Sequence, residues 1–172
     1  MKIQTSRLEF VPVTAELIRL EIGNPARLGQ ALAAVVPAAW PPESVRDILE
    51  SFVQELEEDP NTKGFSGYYW LSTEETRRPT LIGSGGFKGK PDADGTVEVG
   101  YSVLPEFQNK GYATEALQGL VSWALSQKSV LHVIAEAFPH NIPSVRVLTK
   151  CSFVEVGDGS ELGIKRFEFL QR

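Results

Sequence analysis

The residues Gln108, Asn109, Lys110, Gly111, Tyr112, Ala113 and Thr114 join a strand-like run, TVEVGYSV, to a helix-like run. No Ser, Thr or Asp directly precedes the first helical turn, although the leading amides of a helix need partners. With the helix dipole, such amides favour an anion. Gly111 lets the backbone approach a ligand closely. Lys110 adds a cation and Thr114 a hydroxyl donor, so a pyrophosphate suits the group. Hydrogen bonds to a charged acceptor are worth roughly 1.5–3 kcal/mol each, so several supply much of a micromolar affinity of about 8 kcal/mol. A plain loop entering a helix is the alternative. Neither GxxxxGK[ST] nor GxGxxG is present, so this is neither a P-loop nor a dinucleotide fingerprint.

Glu98 is the first candidate for proton chemistry. Val97, Val99, Tyr101 and Val103 share one face of their strand, which places Glu98 with Gly100 and Ser102 on the other. A carboxylate on a central strand is costly to bury without a purpose, either as a general base or as the partner of an Arg. Glu136 and His140 are the second and third candidates. Cys151 lies at an apolar helix end with no His–Asp pair, which argues against a covalent enzyme intermediate. Two His and one Cys supply no metal cluster.

The elements that must position these residues change character along the chain. Residues 2–13 read as a strand, ended by Pro12 and Thr14. Thr14 caps a helix over Ala15–Ile22, which Gly23, Asn24 and Pro25 break. Further helices are expected over Ala26–Val36 and Glu43–Glu57, the second from apolar residues at helical spacing. From residue 65 the period changes. GYYWLST and TLIGSGGFKG read as strands separated by the charged turn EETRRP, and TVEVGYSVLP as a third, stopped by Pro105. A helix follows from Tyr112 to about Gln127. VLHVIAEAF is almost continuously apolar, as a parallel strand buried on both faces would be. Asn141–Lys150 is helical, and FVEVG, a turn and IKRFEFL close the chain as a hairpin. The pattern is an α+β (mixed α/β) domain spanning residues 1–172.

The bulk numbers agree. The 172 residues suit one domain with a sizeable core. A net charge of −5 offers no general attraction to nucleic acid or acidic membranes. A single Cys excludes an internal disulfide framework. No apolar run reaches membrane-spanning length and no signal peptide is evident, so a cytoplasmic location is expected.

The order of elements and three stretches resemble the GNAT superfamily of acyl-CoA-dependent N-acetyltransferases. QNKGYA, Gln108–Ala113, matches its (Q/R)-x-x-G-x-(G/A) loop, and VEVGYSV looks like its fourth strand. HNIPSVRVLTKCSF matches a later segment through Asn141, Ser144, Arg146, Leu148, Lys150 and Phe153. TSRLEFVPVT looks like the opening strand of the Rim-type, ribosomal-protein N-terminal acetyltransferase branch. Ser152 stands where the family often has Gly, in a helix C-terminal turn that favours a left-handed residue.

The resemblance implies a mixed, mostly antiparallel twisted sheet, flanked by helices and splayed between strands 4 and 5. It implies acetyl-CoA as cosubstrate, its pyrophosphate on the backbone of Gln108–Ala113 and its pantetheine arm on Ser102 and Val103. Asn141 would bond that arm or a water. Arg146 and Lys150, four residues apart, lie on one side of the same helix. Glu98 looks like the base of several members. The family's usual acid is a tyrosine on the later helix, but none follows Tyr112, so that role is not carried over and the acid is unassigned, Ser144 or a water being the candidates. The implied acceptor is a small-molecule or peptide primary amine, and Trp40 and Trp70 either line its site or belong to the core. A lysine-like amine, with a pKa near 10.4, costs about 4–5 kcal/mol to deprotonate at neutral pH, an α-amine only about 1–1.5. A homodimer through the terminal hairpin is a further expectation. The rival readings are a non-catalytic CoA-binding regulator of the same fold and a nucleotide-binding module.

Overall fold

A computed structural model describes residues 3, 5–59, 62, 64–74 and 77–171. Parts of the first expected strand (residues 2 and 4) and of the EETRRP turn (residues 75 and 76) lie outside the described residues. The elements are β1 (Leu8–Pro12), α1 (Ala15–Gly23), α2 (Pro25–Ala31), α3 (Glu43–Arg46), α4 (Leu49–Glu58), β2 (Gly67–Ser72), β3 (Thr80–Phe87), β4 (Thr96–Val103), α5 (Tyr112–Leu125), β5 (His132–Ala137), α6 (Ile142–Lys150), β6 (Phe153–Asp158) and β7 (Lys165–Phe169). The seven strands form one sheet in the order β1-β2-β3-β4-β5-β7-β6. Every neighbouring pair is antiparallel except β4 and β5. The α+β, mostly antiparallel expectation is therefore met.

The β4–β5 ladder is short. Thr96, Val97 and Glu98 pair with His132, Val133 and Ile134, and the pairing stops there. β4 continues to Val103 and β5 to Ala137. Beyond Glu98 the two strands diverge, and Glu98 stands on the last paired rung. This is the splay the resemblance implied.

Along β4 the backbone alternates between its neighbours. Lys88 N–H donates to Glu98 O, and Leu104 N–H donates to Ile82 O. Even-numbered residues, Ser102 included, thus direct their backbone groups toward β3. The odd-numbered Tyr101 and Val103 direct theirs into the splay.

The main core lies where α5 covers the sheet. Ala116, Leu117, Leu120 and Ala124 are fully buried there against β4 and β5 residues such as Val97, Val99 and Val133. Each such Val or Leu side chain contributes about 1.5–3 kcal/mol of burial. A small second core, Ile18, Leu49 and Val53, ties α1 to α4.

Two helices depart from their periodicity. The expected Ala26–Val36 helix stops at Ala31. Ala33 takes a left-handed φ of 51°, and Val35 bridges to Thr80. Val35 N–H donates to Pro79 O and Leu81 N–H to Val35 O, so a strand partner overrides the local propensity. The expected Glu43–Glu57 helix is two pieces, interrupted at Asp47 and Ile48. Neither Asp nor β-branched Ile is a strong helix former. Thr14 caps α1 as expected, accepting from Leu17 N–H at 3.2 Å.

Candidate active site

Pro105–Phe107 forms a single 3₁₀ turn, which swings the chain from β4 to the start of α5. Asn109 and Gly111 both take positive φ, 60° and 84°. Gly111 is the N-cap of α5 and, having no side chain, makes no capping hydrogen bond. The first turn is held from the side instead. Glu115 accepts from Thr5 Oγ1 (2.6 Å), Ser6 Oγ (3.1 Å), and the N–H (2.8 Å) and Nε (2.6 Å) of Arg7. Burial pushes the Glu115 carboxyl up, but these donors outweigh it and hold it below the usual range. Arg7 Nη1 also donates to Lys110 O at 3.1 Å. The loop is thus braced from outside, while its own residues 108–111 stay exposed. Gln108 Nε2 donates to Val103 O at 2.9 Å, tying the loop to the splayed edge of β4. Lys110 lies over the Phe107 ring at 5.2 Å. Tyr112 is buried, with Arg7 4.6 Å above its ring, and Ala113 and Thr114 are half-buried in the first turn.

Across the splay, Asn141 is the N-cap of α6 and its Oδ1 accepts from Ser144 N–H at 3.3 Å. Arg146 is exposed on the same helix. The Tyr101 hydroxyl reaches Ser144, 3.2 Å from Oγ and 3.3 Å from the carbonyl. Burial pushes that phenol up to about 12, so it stays protonated at neutral pH. A tyrosine does stand at this helix, therefore, delivered by β4 rather than by α6. Sequence reasoning misses it because strand alternation puts Tyr101 on the face opposite Glu98, and no local pattern brings it to α6. Ser152 has a φ of 65°, the left-handed conformation expected of that turn.

The acidic candidates separate. Glu98 is mostly shielded and ion-pairs with Lys88 through Oε1. That oxygen is out of solvent and makes no well-formed hydrogen bond, so the contact is Coulombic. Glu136 is committed to structure. Its side chain, 4% exposed, accepts from Ser160 N–H at 3.0 Å and from Arg166 Nε and Nη2 at 3.1 and 3.0 Å. Burial would raise this carboxyl, yet the donors hold it below its usual range. His140 stacks on Phe138, exposed. Cys151 is buried, its thiol pushed up by burial to about 11, with its S–H directed at Thr114 O. That is the inert thiol expected. Trp70 is fully buried and Trp40 nearly so, which makes both core residues.

A cavity of about 600 Å³ opens beside the splay. Its floor is the sheet face carrying Tyr69, Ser84, Gly100 and Ser102, and its roof comes from α1 and α4. Among the described residues, no group of three His, Cys, Asp or Glu is placed to hold a metal ion, and no helix is long and apolar enough to cross a membrane.

A family model described as an acetyltransferase (GNAT) domain matches residues 7–154. The chain is 27% identical over 152 residues to an uncharacterized N-acetyltransferase, YjdG, of Bacillus subtilis, covering 88% of this chain and 89% of that one. Its fold is similar to that of a GNAT-family acetyltransferase from Bacillus anthracis, with a TM-score of 0.65, 22% identity and coverage of 99% and 98%. It is also similar to RimL, a ribosomal L7/L12 α-N-protein acetyltransferase solved with coenzyme A, with a TM-score of 0.64, 16% identity and coverage of 98% and 97%. From the family match, the splayed sheet and the uncapped loop before α5, the chain belongs to the GNAT acetyltransferase family.

Proposed function

We propose that the whole chain works as one N-acetyltransferase domain that moves the acetyl group of acetyl-CoA directly to a primary amine. What carries this reading is the junction at β4. The strand loses its parallel partner after Glu98 and ends at Val103, and the chain then turns into a helix whose cap is the left-handed Gly111.

The residues fit such a cosubstrate. The backbone of Gln108–Ala113 and the Thr114 hydroxyl would hold the pyrophosphate, with Lys110 adding charge. Tyr101 and Val103 offer backbone groups to an extended arm lying in the splay, and Ser102 contributes its side chain to the cavity. Asn141 and Arg146 reach the same ligand from α6. Bound acetyl-CoA would supply an activated thioester carbonyl. Glu98, at the apex of the splay, accepts the amine's proton through Oε2 or a water, since Lys88 occupies Oε1. Ser144, its hydroxyl held by Tyr101, relays a proton to the leaving sulfur and regains one from solvent water, so that CoA leaves as the thiol.

A thermal-shift comparison of acetyl-CoA, CoA and ATP, together with thiol release in the presence of amines, tests this reading. Acetyl-CoA and CoA should stabilise the chain, and amines should release free thiol. Stabilisation by ATP alone would make it a nucleotide-binding module. CoA binding without thiol release would make it a non-catalytic regulator.

A further inference from the structure

The cavity beside the splay contains a carboxylate that the reaction above does not use. Glu21, on α1, is 4% exposed. Its Oε1 accepts from Trp40 Nε1 at 2.8 Å, and its Oε2 accepts from the Tyr69 hydroxyl. Both donors are rigid, buried aromatics, so the carboxylate is fixed in place. Two donors leave lone pairs unused, since an ionised carboxylate accepts about four hydrogen bonds. Among the described residues no Lys or Arg pairs with it. A buried carboxylate that lacks a cation is costly, and burial pushes this one up despite its two donors. The fold keeps it against the cavity nonetheless.

The sheet register gives its distance from the open stretch of β4. Tyr69 pairs with Ser84, and Ser84 with Ser102, so the three lie in one row across β2, β3 and β4. Two strand spacings separate Tyr69 from Ser102, roughly 10 Å. The space between is apolar toward the roof, where Ile18, Leu49, Phe52 and Leu56 line it. The cavity's cations are engaged elsewhere, Lys88 with Glu98 and Lys90 with Asp59.

We propose that Glu21 is the specificity-determining residue of the acceptor site and selects an amine with an apolar body and a second cationic group. The reacting amine lies over the open stretch of β4, and the second cation lies on Glu21, two strand spacings or roughly 10 Å across the sheet. The inference rests on the transferase reading and adds the substrate class to it.

Acetyl transfer from acetyl-CoA to 1,6-diaminohexane and to hexylamine is compared in the full chain, followed by thiol release. The diamine should show kcat/KM about tenfold or more above the monoamine, as one charge-assisted contact supplies. Glu21→Gln should remove that preference through KM, leaving the monoamine within about twofold. Tyr69→Phe retains the carboxylate and should retain the preference. An unchanged melting shift with CoA shows that each variant is folded. Equal use of both amines by the wild type, or equal loss of both in Glu21→Gln, overturns the role of Glu21 and leaves the transferase reading standing. No transfer to either amine or to any other in a broad panel overturns both.

Discussion

At the splayed end of β4 and β5 the site is built mainly from backbone, whereas above β2 and β3 it is built from side chains. The first region needs a ladder that stops at Glu98, a left-handed Gly111 and the leading amides of α5. The second needs Glu21, Trp40 and Tyr69, drawn together from three separate stretches of chain. A backbone site leaves local marks in a sequence, because turn and cap geometry restrict residue type. A side-chain cavity leaves almost none, because its members meet only in the folded molecule. The end proposed for the cosubstrate is thus the one whose motifs match the family, and the end proposed for the acceptor carries no such motif.

Substitutions at the two ends should separate accordingly. The largest expected effect is at Glu98. Glu98→Gln should lower kcat about 100-fold, the usual worth of a positioned base, with the acetyl-CoA Kd changed less than about twofold. Steady-state kinetics and calorimetry on the same sample check both halves. Next is Gly111→Val, since a β-branched residue at a φ of 84° is strained by roughly 1–3 kcal/mol. The acetyl-CoA Kd should rise about tenfold, while the acceptor KM measured at saturating acetyl-CoA holds.

Glu136→Gln should affect stability and not turnover. It breaks a largely buried pair whose Arg166 is 42% exposed, so the loss is about 1–3 kcal/mol after solvent screening, or several degrees of Tm. Glu136 and Glu115 both have folded values below the unfolded one, near 4.3. Their stabilisation is therefore present above about pH 4.3 and is lost as pH falls through the lower folded values. Melting curves from pH 7 to pH 3 should show that loss, with a shallower acid limb in Glu136→Gln. The smallest effect is at Cys151. With its thiol near 11, about one part in a thousand is thiolate at pH 8, so native chain should resist iodoacetamide. Cys151→Ala should keep turnover within about twofold.

Much of this was legible in the sequence, unevenly. The Gln108–Thr114 loop, the α6 segment with its left-handed Ser152 and the succession of strands and helices along the chain show in local residue types. Glu98 and Glu136 looked alike, two acidic residues on adjacent strands. Only the fold shows that Arg166 and Ser160 occupy Glu136, while Glu98 stands at the apex of the splay. Tyr101 was hidden differently. The resemblance directs attention to a tyrosine on the later helix, and strand alternation places Tyr101 with Val97, Val99 and Val103, on the face opposite Glu98. Its ring is indeed packed against Trp70, but its hydroxyl extends to Ser144. α2 ended early because Val35 found a strand partner 45 residues away at Thr80, which no local pattern records.

The central claim is that the backbone at the splayed end receives CoA. Amide hydrogen exchange of the full chain, with and without CoA, tests it residue by residue. The account predicts about tenfold or greater slowing at Gly111, Ala113, Thr114 and Val103, with the amides of α4 unchanged. CoA binding with no slowing at those positions, or with slowing confined to α1 and α4, would contradict it.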